Sequence, residues 1–140
     1  MTTKKNVLIV NSDIELNGRV SKLLFSEDTN WNIFTVFSGK ECLDIVNNGN
    51  CPDVIILGMK LSDTTGLQLT ERIRDYSDVP IILLANDREI YTLVKAFDSG
   101  VNDYITLPFN EKIFIARLKA LIRRSSWDKN IQKESTKLIA

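Results

Sequence analysis

The chain has 140 residues, with eighteen Lys and Arg balancing eighteen Asp and Glu and no histidine at all. That length suits one domain with a single sizeable core, and a zero net charge removes the electrostatic argument for nucleic acid or an anionic membrane as direct partner. Imidazole chemistry is excluded outright, whether acid–base, phosphocarrier or metal-ligating.

Short apolar runs alternate with helical patterns five times, the rhythm of a doubly wound α/β sheet. Asn6 to Val10 reads as the first strand. Leu16, Val20, Leu23 and Leu24 then recur at helical spacing, predicting a helix that ends near Phe25. Ser12-Asp13-Ile14-Glu15 fits a capping box, so Ser12 is expected to start that helix. Trp31 to Val36 reads as a shorter, more exposed strand. Ser38 to Glu41 is a second capping box, opening a helix through Val46 that Asn48-Gly49 stops.

Val54-Ile55-Ile56-Leu57 is an unbroken apolar run, as expected of a parallel strand buried on both faces. A polar turn closes it at Gly66, and a helix follows from about Thr65 to Tyr76. Ile81 to Leu84 repeats the buried-strand pattern. Arg88 to Ser99 reads as a helix stopped by Gly100, and Asp103 to Thr106 as a short fifth strand. Asn110 caps a last helix that reaches at least Arg124. The boundary expected there divides a domain, residues 1–124, from a polar tail or linker, residues 125–140.

No apolar run is long enough to span a membrane, and the polar start MTTKKN lacks the apolar region of a signal peptide. The cytoplasm is the expected compartment. Cys42, in a helical pattern, and Cys51, in a loop, are expected to be reduced thiols.

The PDVIIL opening, the Gly66 turn, VPIILLA and SGVNDYITLPF together resemble the landmarks of a response-regulator receiver domain, over residues 4–124. The resemblance implies a flavodoxin-like five-stranded parallel sheet, order 2-1-3-4-5, with five helices. It also implies a phosphorylation pocket at the carboxyl ends of the strands, where open α/β sheets carry their sites. There the family's acidic pair falls on Asn11 and Ser12, its phospho-accepting aspartate on Gly58, its hydroxyl on Ala85 and its lysine on Leu107.

All five groups are replaced, and as a set. A lysine left without its carboxylates would be an uncompensated buried charge costing roughly 3–5 kcal/mol; here both signs are gone. The Asn11 amide oxygen and the Met59 carbonyl are neutral ligands, poor ones for magnesium. No catalytic residue, metal or cofactor is therefore expected, and the chain is not expected to be an enzyme. Asp13, Asp63 and Asp87 border the same end; they are substitute acceptors in principle, but helix caps or solvated loop residues by composition.

The last third resembles the OmpR/PhoB class, which implies a homodimer through the fourth helix, fifth strand and fifth helix. By position, Phe97 matches the apolar centre of that face, Asp98 and Asp103 its acids, Arg117 and Lys119 its bases. The class's fourth-helix lysine falls on Leu93 and its first paired acid on Asn102. Tyr104 matches the switch aromatic, which without a hydroxyl at Ala85 has no handle and is expected to stay in one orientation. The function expected is a phosphorylation-independent dimerisation module of a transcriptional regulator, reaching DNA only through a domain absent here. The alternative is a single-domain adaptor that binds a partner protein or small ligand.

Overall fold

A computed structural model describes residues 4–27, 30–86 and 90–139, with side chains for all of these but 90 and 126–139. The elements run β1 (Lys5–Val10), α1 (Ile14–Ser26), β2 (Trp31–Val36), α2 (Gly39–Asn47), β3 (Val54–Gly58), α3 (Gly66–Arg74), β4 (Ile81–Ala85), α4 (Ile90–Ser99), β5 (Asp103–Thr106) and α5 (Glu111–Ile139). All strands pair in parallel in the order β2-β1-β3-β4-β5. This is the doubly wound sheet that the family resemblance implies.

The apolar runs form the central strands because both of their faces are covered. Val7, Ile9, Val54, Ile56, Ile82 and Leu84 pack in one core cluster, with α1 and α5 residues such as Val20, Leu24, Phe114 and Leu118. The alternate residues Leu8, Val10, Ile55, Leu57, Ile81 and Leu83 enter the other, with Leu69, Ile73 and Ala96. Each such side chain, fully buried, contributes roughly 1.5–3 kcal/mol of transfer free energy. The edge strands β2 and β5 are less covered.

Local capping follows the sequence at three helices. Ser38 accepts from the Glu41 amide at 3.1 Å, Thr65 from Gln68 at 3.2 Å and Asn110 from Ile113 at 3.0 Å. At α1 the expectation is corrected by one residue. Asp13, not Ser12, is the cap, accepting from the Leu16 amide at 3.0 Å. Ser12 is drawn away because its hydroxyl donates to the Lys60 carbonyl at 2.8 Å, tying the loop after β1 to the loop after β3. The expected start of α4 at Arg88 lies outside the described residues.

Arg74, at the end of α3, joins three segments. Its guanidinium donates to the carbonyls of Ser77 (3.1 Å), Val79 (2.7 Å) and Gly100 (3.0 and 2.8 Å) and to Asn102 Oδ1 (2.9 Å). Burial pushes its pKa below the ordinary arginine value, and five hydrogen bonds compensate the desolvated charge.

α5 packs through Phe114, Ile115, Leu118, Leu121 and Ile122 and is still buried at Ser125. It crosses residue 124 without a break and continues to Ile139. Among the described residues, no helix is long and apolar enough to cross a membrane.

Candidate functional site

Strand register gathers four of the five replaced positions. Val10 pairs with Leu57, Gly58 with Leu84, and Ala85 with Thr106. Asn11, Gly58, Ala85 and Leu107 therefore end four neighbouring strands at the carboxyl edge of the sheet, and Leu107 donates its amide to the Ala85 carbonyl at 2.9 Å. Ser12 stands beside them, bonded to Lys60 as described.

The centre of this site is filled from within. A Cβ built on Gly58 would overlap the Oδ1 and Cγ of Asn11 and stand 3.0 Å from its Cβ. The Asn11 side chain thus lies where a side chain at position 58 would begin. Behind it, Gly66 donates its amide to the Met59 carbonyl at 2.8 Å, and a Cβ on Gly66 would overlap the Gly58 carbonyl oxygen. Glycine at 58 and 66 is what allows this close packing.

The electrostatics run against phosphoryl chemistry. Asn11 is 5% exposed, and its Nδ2 is buried with no hydrogen-bond partner among the described residues. Asn17, equally buried, donates to the Asn11 carbonyl at 2.8 Å while its own Oδ1 is likewise unpartnered. An orphaned N–H donor repels a cation. Ala85 is fully buried, and Leu107 packs against the core cluster of β1, α1 and α5. The magnesium that the family resemblance implies therefore does not fit the residues present, which offer neutral oxygens and no carboxylate from these five positions. Among the described residues no group of three or more His, Cys, Asp or Glu is placed to hold a metal ion.

Two of the bordering aspartates have local work. Asp13 caps α1. Asp63 reaches across to the start of α2 and accepts from the amides of Gly39 (2.7 Å) and Lys40 (3.1 Å). Those two bonds hold its carboxyl below the usual carboxylate range. Asp87 lies outside the described residues. A cleft of about 320 Å³ opens beside the site, lined by Asp13, Arg19, Asn86, Leu107 and Phe109 among others. Asn11, Gly58 and Ala85 do not line it.

The second group of candidates meets on the face of α4, β5 and α5. Tyr104 is half-buried, edge-on to Phe97 with ring centroids 6.1 Å apart. Arg117 places its guanidinium 5.7 Å from the Tyr104 ring centre and donates to the Tyr104 carbonyl at 2.7 Å. The same guanidinium lies 3.8 Å from Asp103, whose carboxylate accepts the Tyr104 amide at 2.8 Å. Phe97, Asp103, Tyr104 and Arg117 thus form one cluster within a single chain. Asp98 is exposed outside it. Lys119, two residues beyond Arg117 and so on the other flank of α5, lines a cleft with Glu27 and Arg123 instead.

Three residues with structural roles were not anticipated. Asn17 carried a signal, a polar residue at helical spacing from Val20 and Leu24. Arg74 carried none. Asn102 reads in sequence as a lost interface acid, yet its Oδ1 accepts from the Ile81 amide at 2.8 Å and from Arg74, so the amide serves the joint between β4 and β5.

Comparison with known proteins places this geometry. A family model described as the response regulator receiver domain matches residues 7–119. The chain is similar to the heme response regulator HssR of Staphylococcus epidermidis, 35% identical over 119 residues covering 85% of this chain and 52% of that one. It is similar to the regulatory protein VanR of Enterococcus faecium, 30% identical over 133 residues, 95% of this chain and 56% of that one. It spans about half the length of these relatives. Among solved structures, a two-component response regulator from Clostridium difficile aligns with a TM-score of 0.78 at 27% identity, covering 86% of this chain and 98% of that one. A putative response regulator from Chloroflexus aurantiacus gives 0.79 at 25% identity, over 86% and 99% of the two chains.

Proposed function

This chain belongs to the response regulator receiver domain family, and we propose that it is a member that regulates without being phosphorylated. The observation that carries the proposal is the filled centre of the site: the Asn11 carboxamide takes the space of an acceptor side chain at 58. Phosphoryl transfer depends on positioning and charge neutralisation, and Asn11, Ser12, Gly58, Ala85 and Leu107 supply neither. In this reading the protein is not an enzyme and uses no cofactor.

Named relatives include the transcriptional regulatory proteins KdpE of Staphylococcus aureus and CpxR of Escherichia coli. By analogy, residues 1–124 are a cytoplasmic dimerisation module and residues 125–140 a tail or linker toward a DNA-binding domain. Its interface is the face of α4, β5 and α5, with Phe97, Asp98, Asp103 and Arg117 on it and Lys119 at its rim. Tyr104, engaged by Phe97 and Arg117, is held in one orientation, and the domain in one output state.

The test is thermal melting with and without magnesium and beryllofluoride, a phosphoryl mimic. A ligand that binds only the folded state raises the melting temperature. No rise is expected here. A reproducible rise, or a phosphoryl adduct in the intact mass after incubation with acetyl phosphate, would overturn the proposal.

A further inference from the structure

We propose that the outer edge of β2 pairs antiparallel with the β2 edge of a second copy, joining two five-stranded sheets into one. This contact is independent of the dimer reading above, which uses the opposite edge of the sheet. β2 is an end strand, and its hydrogen bonding alternates along its length. The Asn30 carbonyl accepts the Lys5 amide at 3.3 Å and the Val36 carbonyl accepts the Asn11 amide at 3.2 Å. Between them the pairing runs without a break from Lys5 with Trp31 to Val10 with Val36. The even-numbered residues of β2 therefore turn their amides and carbonyls toward β1. Trp31, Ile33 and Thr35 turn theirs outward, and no hydrogen bond among the described residues reaches these groups.

The edge is also unprotected. Sheet edges are ordinarily kept apart by charge, Pro, bulges or brevity. Asn30 to Phe37 contains no charged residue, Pro or Gly, and β2 pairs over six residues with no bulge. The other edge strand, β5, has four residues and carries Asp103. Phe34 stands 54% exposed beside the open edge.

Hydrogen-bond geometry chooses a second copy as the occupant. With Ile33 set opposite Ile33 of the second copy about a two-fold axis, Trp31 of each copy meets Thr35 of the other. Each of these opposed pairs exchanges both of its N–H and C=O groups, so every outward amide and carbonyl of β2 on both copies is satisfied at once. This is the isologous arrangement that a two-fold requires. Moving the axis to Phe34 would set Trp31 against Phe37, whose carbonyl already accepts the Ser62 amide at 3.4 Å. With the axis at Ile33, Phe34 faces Asn32 of the second copy, and the two Phe34 rings lie on the diagonal, within reach of one another. A strand without charges brings no like charges together when it pairs with itself.

The experiment is amide hydrogen exchange by NMR on the whole chain at about 20 µM and about 1 mM, with sedimentation equilibrium over the same range. The amides of Asn32, Phe34 and Val36 are expected to be protected at both concentrations. Those of Trp31, Ile33 and Thr35 are expected to exchange freely when dilute and at least about tenfold more slowly when concentrated. Phe34→Lys sets two like charges on the diagonal and is expected to weaken association at least about tenfold. Its melting in dilute solution should match the parent, because the replaced ring is largely exposed. Thr35→Pro removes an outward amide, a change that an edge strand tolerates, and should weaken association as well. Outward amides whose exchange ignores concentration, or association unchanged in Phe34→Lys, would overturn the inference, whether or not the chain dimerises through α4, β5 and α5. Outward amides protected only by an added synthetic peptide of residues 30–37 would overturn it too, in favour of an extended peptide as partner.

Discussion

The carboxamide of Asn11 and the bare Cα of Gly58 fit one another across two neighbouring strands: the side chain of the first occupies the space that any side chain on the second would need. The pair is expected to be energetically coupled. Gly58→Ala should destabilise by about 1–3 kcal/mol through overpacking. In an Asn11→Ala background that cost should shrink, with a coupling energy of at least about 0.5 kcal/mol. Urea titration of the four proteins measures it; simple additivity would mean that the two residues do not compete for one volume.

Restoring the acceptor alone should fail. In Gly58→Asp the new carboxylate would be buried with neither magnesium ligands nor a lysine beside it, a cost of about 3–5 kcal/mol. Intact mass after acetyl phosphate treatment is expected to show an unmodified chain. A phosphorylated product would mean that Asn11 yields easily.

Asp63 makes α2 sensitive to acid. Its depressed native pKa comes first from the Gly39 and Lys40 amides. The contribution of the carboxylate is therefore complete above its ordinary value of about 3.9 and is lost as pH falls through the lower native value. Asp63→Asn should melt below the parent at neutral pH, and the gap should close as the pH falls below about 4. A gap that stays constant across the acid limb would discount the caps.

The cysteines should differ in reactivity. Burial pushes the Cys42 thiol up to about 12, and the thiolate is the nucleophile. Cys51 is only half-buried, its sulfur 3.3 Å from the Ser77 hydroxyl. Iodoacetamide at neutral pH is expected to label Cys51 in the native protein and both residues in denaturant. Equal labelling of Cys42 under native conditions would contradict its placement.

Arg74 is a stability residue rather than a surface cation. Arg74→Met removes five hydrogen bonds to oxygens of the α3–β4 and α4–β5 connections and of Asn102. The expected loss is about 1.5–3 kcal/mol by chemical denaturation. A change below about 0.5 kcal/mol is what an ordinary exposed position would give.

How much was legible depends on whether the cause was local. Val54–Leu57 and Ile81–Leu84 announce buried strands by themselves, and Ser38, Thr65 and Asn110 sit where their helices begin. That Asn11, Gly58, Ala85 and Leu107 stand at the carboxyl ends of β1, β3, β4 and β5 was legible, because the apolar runs before them mark where those strands stop. What the positions do to one another was not. That Asn11 fills the space beside Gly58 depends on the register of β1 against β3, and that Ser12 yields the cap to Asp13 depends on a carbonyl 48 residues away. Asn102 looked like a missing charge because sequence shows what a residue lacks before it shows what its amide holds.

The unbroken course of α5 through Ser125 to Ile139 has a mechanical outcome. Twenty-nine residues at 1.5 Å each make a rod about 43 Å long, roughly its nearer half clamped in the core. A cantilever fixed in this way transmits bearing as well as reach. Anything seated at its far tip would swing with the body as a clock hand turns with its arbor, so a small roll of the receiver against a neighbour would arrive there as a much larger sweep.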